Sequence, residues 1–143
     1  MKPQQKLLCN RIATAVMIIA LGAFSLSSCT KKKEESNDGA KFVGTWSGTS
    51  DCGGATSFTL NAGSNGNEVV QNGTAGTTGC EVAITLKGTA SGNTLVFPAQ
   101  NFTDNCGISY TVSATATLNG NTLSLTQTAT GGVVGTCSFT GTK

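Results

Sequence analysis

The feature that most constrains the fold is a strict two-residue alternation between Ile108 and Leu118. Apolar side chains occupy every second position of this run, and serine or threonine occupies the positions between them. A period of two predicts a β-strand with one buried and one solvated face. Asn119-Gly120 follows directly, and this dipeptide is typical of the tight turn of a β-hairpin. A second alternating run through Leu123 and Leu125 then predicts the other strand of the hairpin.

Similar runs fill the chain from Phe42 onward. The segment Val82 to Lys87 alternates in the same way, a turn follows at Ser91-Gly92-Asn93, and the next strand carries Leu95 and Phe97. We expect Pro98 to help end that strand, because proline cannot donate to a ladder of hydrogen bonds. Further strands are predicted at residues 42–49, 56–61, 67–71 and 136–142.

These strands predict an all-β domain of about eight antiparallel strands, connected as an up-and-down meander. Closure into a small barrel is the expected architecture, because it removes the open strand edges that a sequence with few charges leaves unprotected. A β-sandwich is the alternative. The residues expected to fill the interior are Phe58, Leu60, Ile84, Leu86, Phe97, Tyr110, Leu125 and Phe139.

Four cysteines of the strand-rich region, Cys52, Cys80, Cys106 and Cys137, are expected to form two disulfides. The gaps between them all exceed twenty residues, which does not fit the closely spaced pairs of a zinc site. The sequence leaves all three connectivities open. If the strands alternate in direction from the first one, all four cysteines fall at the same end of the fold, together with the longer loops.

The N-terminal region is typical of an exported protein. Basic residues at the start precede a mostly apolar run from Ile12 to Leu26, which is short for a bilayer span and normal for a signal peptide. The segment Leu26-Ser27-Ser28-Cys29 resembles the lipobox of bacterial lipoproteins. The resemblance implies that residues 1–28 are removed as a signal peptide and that the thiol of Cys29 is lipidated, so that the protein is bound to a membrane.

Residues 29–40 are predicted to form the lipidated cysteine and a flexible tether to a single domain at 41–143. The tether has no apolar periodicity and consists largely of charged and small polar residues. The charged block Lys31 to Glu35 resembles the surface-export signals of lipoproteins from the Bacteroidota. The expected location is therefore the outer membrane, with the domain facing either the periplasm or the cell surface.

The tripeptide Gly44-Thr45-Trp46 resembles the Gly-x-Trp signature of the calycin group, which contains the lipocalins and avidin-like barrels. The resemblance implies a lipocalin-like barrel in which Trp46 plugs the closed end, pointing inward with Phe42 and Gly48. Typical lipocalins also pack an arginine over this tryptophan, and here Arg11 is the last arginine in the sequence. The resemblance implies a fold and no particular ligand.

The inventory of chemical groups favours binding over catalysis. The chain contains no histidine, so the commonest general base and metal-binding imidazole are missing. We expect no enzymatic activity, no metal and no cofactor. Between Lys41 and Lys143 there are three lysines and four carboxylates, a net charge of −1 with no basic patch, which argues against nucleic-acid binding.

The functional hypothesis is a binding module for a small apolar ligand, a glycan or a protein. Its candidate binding residues are Trp46, Asp51, Phe102, Asp104 and Tyr110. One alternative is a structural or adhesive protein of the cell envelope, with a solid core and no pocket. An enzyme that uses the two aspartates as a carboxylate pair is the third, although both are also placed to make turn hydrogen bonds beside glycines.

Overall fold

The computed structural model describes residues 36–143. The predicted signal peptide, the lipidation site Cys29 and the tether as far as residue 35 lie outside the described residues. No helix within residues 36–143 is long and apolar enough to cross a membrane. The described chain consists of a short 3-10 helix, Asp38–Lys41, followed by eight strands: β1 Gly44–Ser50, β2 Gly54–Ala62, β3 Glu68–Ala75, β4 Val82–Ser91, β5 Thr94–Thr103, β6 Ser109–Asn119, β7 Thr122–Gly131 and β8 Gly135–Thr142.

The eight strands form a closed antiparallel barrel in which each strand pairs with the next and β8 returns to pair with β1. The predicted all-β meander and its closure into a barrel are confirmed, and the sandwich alternative is wrong. Strand direction alternates, so the connections after β1, β3, β5 and β7 lie at one end, which we call the rim. The 3-10 helix and the other connections lie at the opposite end, which we call the plugged end.

Two glycines allow the barrel to close between β1 and β8. These strands share four residue pairs, and Gly48 lies directly opposite Gly141. A Cβ atom on Gly48 would overlap the carbonyl oxygen of Thr140, and one on Gly141 would overlap the ring of Phe139 and the backbone of Ser47. Only glycine therefore permits the two strands to approach closely enough to complete the wall.

The core is solid at the plugged end. The largest fully buried side chains are, in order of volume, Trp46, Phe42, Phe97, Leu60, Leu86, Leu95, Leu123 and Val69. Seven of the eight predicted interior residues are buried, and Phe58 packs against them half-buried. The alternation read from the sequence therefore identifies the buried face correctly for most of the barrel.

Two features of β5 and β6 differ from the predictions made from the sequence. Strand β5 does not end at Pro98 but continues to Thr103 through a bulge between Phe97 and Gln100. The missing N–H of Pro98 costs little there, because the ladder between β4 and β5 has already ended at Thr89. Ile108 was expected inside, but it lies in the loop before β6 and is 41% exposed.

The side chain of Gln100 bridges β4 and β5 where their ladder has ended. Its Nε2 donates to the carbonyl oxygen of Lys87 at 3.1 Å, and its Oε1 accepts from the Lys87 N–H at 3.0 Å. These two bonds satisfy the same pair of backbone groups that a neighbouring strand would satisfy. Where the ladder between β4 and β5 has ended, the Gln100 side chain therefore holds the two strands together.

The rim half of the β3–β4 hairpin is joined to the barrel less tightly than the plugged half. The two strands share eight residue pairs with each other. Their ladders to β2 and to β5 contain three pairs each, all near the plugged end. We call the rim half, residues 72–88, the β3–β4 flap. It forms one side of the opening at the rim.

Candidate ligand-binding mouth

Both disulfides brace the rim, as the strand parity predicts. Cys52–Cys137 joins the β1–β2 loop to β8, and Cys80–Cys106 joins the β3–β4 loop to the β5–β6 loop. The second link is reinforced by Asn105, whose N–H donates to the carbonyl oxygen of Cys80 at 3.1 Å. Of the three possible connectivities, the structure has the nested one, in which Cys80–Cys106 lies within the segment enclosed by Cys52–Cys137.

The barrel is open at the rim, where three adjoining cavities meet around Gln127. We call this opening the mouth. The outermost cavity, of about 330 Å³, lies beside Cys52–Cys137, Ala129 and Val133. A cavity of about 120 Å³ continues inward past Phe58, Gln71, Leu125 and Phe139. The third, of about 170 Å³, is bordered by Ile84, Tyr110 and Val112. The mouth is therefore mainly apolar and carries a few polar groups, as is typical of small-molecule sites.

Two polar atoms in the walls of the mouth have no hydrogen-bond partner within the described residues. They are the hydroxyl oxygen of Tyr110 and Oε1 of Gln71. Tyr110 is only 4% exposed. Burial, with a smaller contribution from the negative charge of Asp104, raises the pKa of Tyr110, so its hydroxyl stays protonated at neutral pH. Buried polar groups in proteins are normally paired, so these two fully buried atoms, on side chains that border the cavities, are exceptions that a ligand's polar group would relieve.

Phe102 lies beside Tyr110 on the neighbouring strand. The two residues are cross-strand partners on β5 and β6, and their ring centroids are 6.3 Å apart. Phe102 is half-buried and packs against the core. It supports the tyrosine ring, and the tyrosine is the member of the pair that borders the mouth.

Trp46 lies at the plugged end, away from the mouth. It is fully buried, and its Nε1 donates to the carbonyl oxygen of Phe42 at 2.8 Å. The Nζ of Lys143 lies 4.9 Å from the centroid of the indole ring and donates to the carbonyl oxygens of Lys41 and Val43. Lys143 is therefore the cation that lies over the Trp46 ring.

The two candidate aspartates stand on opposite sides of the rim. Asp51 follows β1 and Asp104 follows β5, which are four strands apart in either direction around the barrel. Oδ1 of Asp51 accepts from the N–H of Ser138 at 2.7 Å. Oδ1 of Asp104 accepts from the N–H groups of Cys106 and Ile108 at 3.0 and 2.9 Å. The Asp51 carboxylate thus ties the β1–β2 loop to β8, the Asp104 carboxylate shapes its own loop, and the structure does not bring the two together.

Asp51 also lies close to the sulfurs of Cys52 and Cys137, all within 4.8 Å of one another. Metals bind cysteine as the thiolate. These two sulfurs are bonded to each other in a disulfide. The cluster therefore lacks the ligands that a metal ion would need.

The residues that sequence reasoning missed are two glutamines on opposite walls. Gln71 on β3 and Gln127 on β7 both border the inner cavity, and β3 and β7 are four strands apart. The signal that could have revealed Gln127 is the alternation itself, because the inward positions Leu123 and Leu125 continue at residue 127. A polar side chain at an inward position is expected to form hydrogen bonds either with other buried polar groups or with a ligand.

Charge is distributed unevenly between the two ends. The rim loops carry the carboxylates Asp51, Glu81 and Asp104, and none of the lysines of the described residues lies in them. Two of the three lysines, Lys41 and Lys143, stand at the plugged end, where they bond to backbone carbonyls. The mouth therefore opens on an acidic surface.

Comparison with known proteins adds no family to this picture. No protein-family model, no curated protein and no solved structure matches the chain. The residues and geometry of the mouth are therefore the basis on which a function can be inferred.

Proposed function

We propose that this protein is a lipid-anchored binding module of the outer membrane, whose mouth takes a small and largely apolar ligand. The observation that carries the proposal is the cavity of about 330 Å³ at the rim, which adjoins two inner cavities bordered by Gln71 and Tyr110. A cavity of similar volume, about 310 Å³, lies at the plugged end beside the 3-10 helix, but its lining does not include the two side chains with unpaired polar atoms. Small-molecule sites typically measure roughly 300–1,000 Å³, so the cavity has the size for a small ligand. A protein that served only as an envelope coat would have no use for an opening with unpaired polar groups in its walls.

The anchor is proposed from Cys29, and the fold gives the orientation that it would impose. The described chain begins at the plugged end, where Oδ2 of Asp38 accepts from the N–H of Gly92 at 2.8 Å. Six residues, 30–35, separate Cys29 from the described chain, and a tether of that length with the reach of a flexible chain would span about 13 Å. The plugged end would then face the membrane and the mouth would face the surrounding water. Ligands would accordingly enter from the aqueous side.

We propose no catalytic role. The chain has no histidine, and the two aspartates that could form a carboxylate pair lie on opposite sides of the rim. Both of them accept hydrogen bonds from backbone N–H groups. Binding is therefore the function that the site supports best.

Ligand binding is expected to raise the thermal stability of the full chain. A ligand at a hundredfold excess over its dissociation constant stabilises a protein by about 2.7 kcal/mol, which is readily seen as a higher unfolding temperature. The measurement is thermal unfolding against a panel of small apolar alcohols, amides, sterols, fatty acids and glycans. Ala129→Phe, which fills the mouth, should abolish the response, whereas Ala83→Phe on the exposed face of β4 should preserve it. A flat response across the panel would leave the envelope coat as the better description.

Lipidation is expected to depend on Cys29 alone. In bacteria grown with labelled palmitate, the wild-type chain should carry the label and Cys29→Ser should lose it. Cys9→Ser is the matched control, because Cys9 belongs to the predicted signal peptide and is removed. An intact mass that includes residues 1–28, or a first residue without fatty acid, would refute the anchor.

A further inference from the structure

We propose that the mouth selects neutral ligands whose polar group both donates and accepts hydrogen bonds, such as an alcohol or an amide on an apolar body, and that it discriminates against carboxylates. This inference rests on the proposed function of the mouth as a binding site. It adds the chemistry of the group that the mouth recognises.

The polar group of the ligand is specified by three side chains on separate walls. Gln71 and Gln127 border the inner cavity, together with the hydroxyl side chains of Ser50, Thr56 and Ser138, and Tyr110 borders the adjoining cavity. The unpaired Oε1 of Gln71 is an acceptor, so a ligand group that reaches it pairs with it by donating. The tyrosine hydroxyl can donate or accept. A ligand group with both capacities satisfies these atoms best.

The body of the ligand is specified by the apolar surfaces around those groups. Phe58 and Phe139 form an edge-to-face pair with centroids 4.8 Å apart at the wall of the inner cavity. Ile84 and Val112 border the third cavity, and Val133 stands 42% exposed at its edge. A compact ring or branched chain would bury its apolar surface against these side chains.

The charge of the ligand is limited by the acidic rim. Asp51, Glu81 and Asp104 stand in the rim loops, and no lysine or arginine of the described residues lies in those loops to neutralise an anion. A carboxylate that entered the mouth would lose its hydration without gaining a counter-charge, and the rim would repel it on approach. Neutral ligands avoid both costs.

The test compares three probes of similar size: cyclohexanol, cyclohexyl methyl ether and cyclohexanecarboxylate. Binding to the full chain in phospholipid nanodiscs is measured by saturation-transfer NMR, with empty nanodiscs as the baseline. We expect cyclohexanol to bind most tightly. The ether, which cannot donate, should bind about threefold to tenfold more weakly, as for the loss of one hydrogen bond. The carboxylate should bind more weakly still.

Two conservative variants connect this preference to the named residues. Tyr110→Phe keeps the ring and removes the hydroxyl, and it should lower the affinity for cyclohexanol about threefold to tenfold. Gln71→Leu removes the acceptor and should abolish the difference between the alcohol and the ether. Thr115→Val, which removes an exposed hydroxyl on β6, is the control and should bind as the wild type does. Unfolding temperatures verify that each variant is folded.

The outcomes separate this inference from the proposed function. If the three probes bind equally well, or if both variants keep the wild-type preference, the selectivity is refuted and the mouth remains a binding site. If no cyclohexyl probe saturates while another compound of the panel stabilises the chain, the inference also fails by itself. If neither experiment gives a response, both proposals fail together.

Discussion

Removing the Cys52–Cys137 disulfide by a double serine substitution is expected to lower the free energy of unfolding by about 4.5 kcal/mol in the chain-entropy model. The bond joins residues 85 apart in sequence, so it removes much of the freedom of the unfolded chain. Removing Cys80–Cys106, which joins residues 26 apart, should cost about 3.5 kcal/mol. Urea denaturation of the two double variants measures the difference.

The order of the two effects also tests the connectivity. Sequential pairing of Cys52 with Cys80 and Cys106 with Cys137 would close loops of 28 and 31 residues and make both disulfides equally stabilising. The nested pairing predicts a difference of about 1 kcal/mol in favour of the longer loop. Peptide mapping without reduction provides the independent control. Peptides that link Cys52 to Cys80 would contradict the structure directly.

Replacing Trp46 with alanine is expected to cost about 3–5 kcal/mol of stability, the usual cost of emptying a buried tryptophan site. The side chain is fully buried at the plugged end, where it donates to Phe42 and lies beneath the amine of Lys143. Since Trp46 is the only tryptophan, unfolding in urea is followed by far-ultraviolet circular dichroism instead of fluorescence.

Two matched variants test whether the loss of stability in Trp46→Ala comes from the buried ring at the plugged end. Trp46→Phe keeps an aromatic ring but leaves the carbonyl oxygen of Phe42 without its donor, so it should be less damaging than alanine. Phe102→Ala truncates a half-buried ring near the rim and should cost less than Trp46→Ala. A Trp46→Ala variant as stable as the wild type would show that the plugged end contributes little to the core.

Much of the fold could be predicted because the information is local. The alternation around Val112 determines which face is buried, since successive side chains of a strand point to opposite sides. Asn119-Gly120 determines where the chain turns back. Strand parity then places all four cysteines at the rim. Pro98 and Ile108 were misjudged because a bulge and a turn change the register locally, and neither leaves a clear signature in the sequence.

The site was harder to predict because it depends on closure of the barrel. Cys137 reaches Cys52 only because β8 pairs with β1, a contact between the two ends of the domain. Gln71 and Gln127 border one cavity for the same reason, since they come from opposite walls. Tyr110 was identified as an aromatic residue near the rim, but the fact that its hydroxyl has no partner emerges only from the packed interior. Nonlocal contacts such as these cannot be read from periodicity.

The β3–β4 flap is the part of the barrel wall that is paired with its own hairpin partner and not with the strands on either side. Four of the eight β3–β4 pairs lie within the flap, and none of the pairs of β3 with β2 or of β4 with β5 does. Its links to the rest of the wall are the Gln100 side chain, which bonds to Lys87, and the Cys80–Cys106 disulfide to the β5–β6 loop. The densely packed core and the sparsely paired part of the wall therefore lie at opposite ends of the barrel.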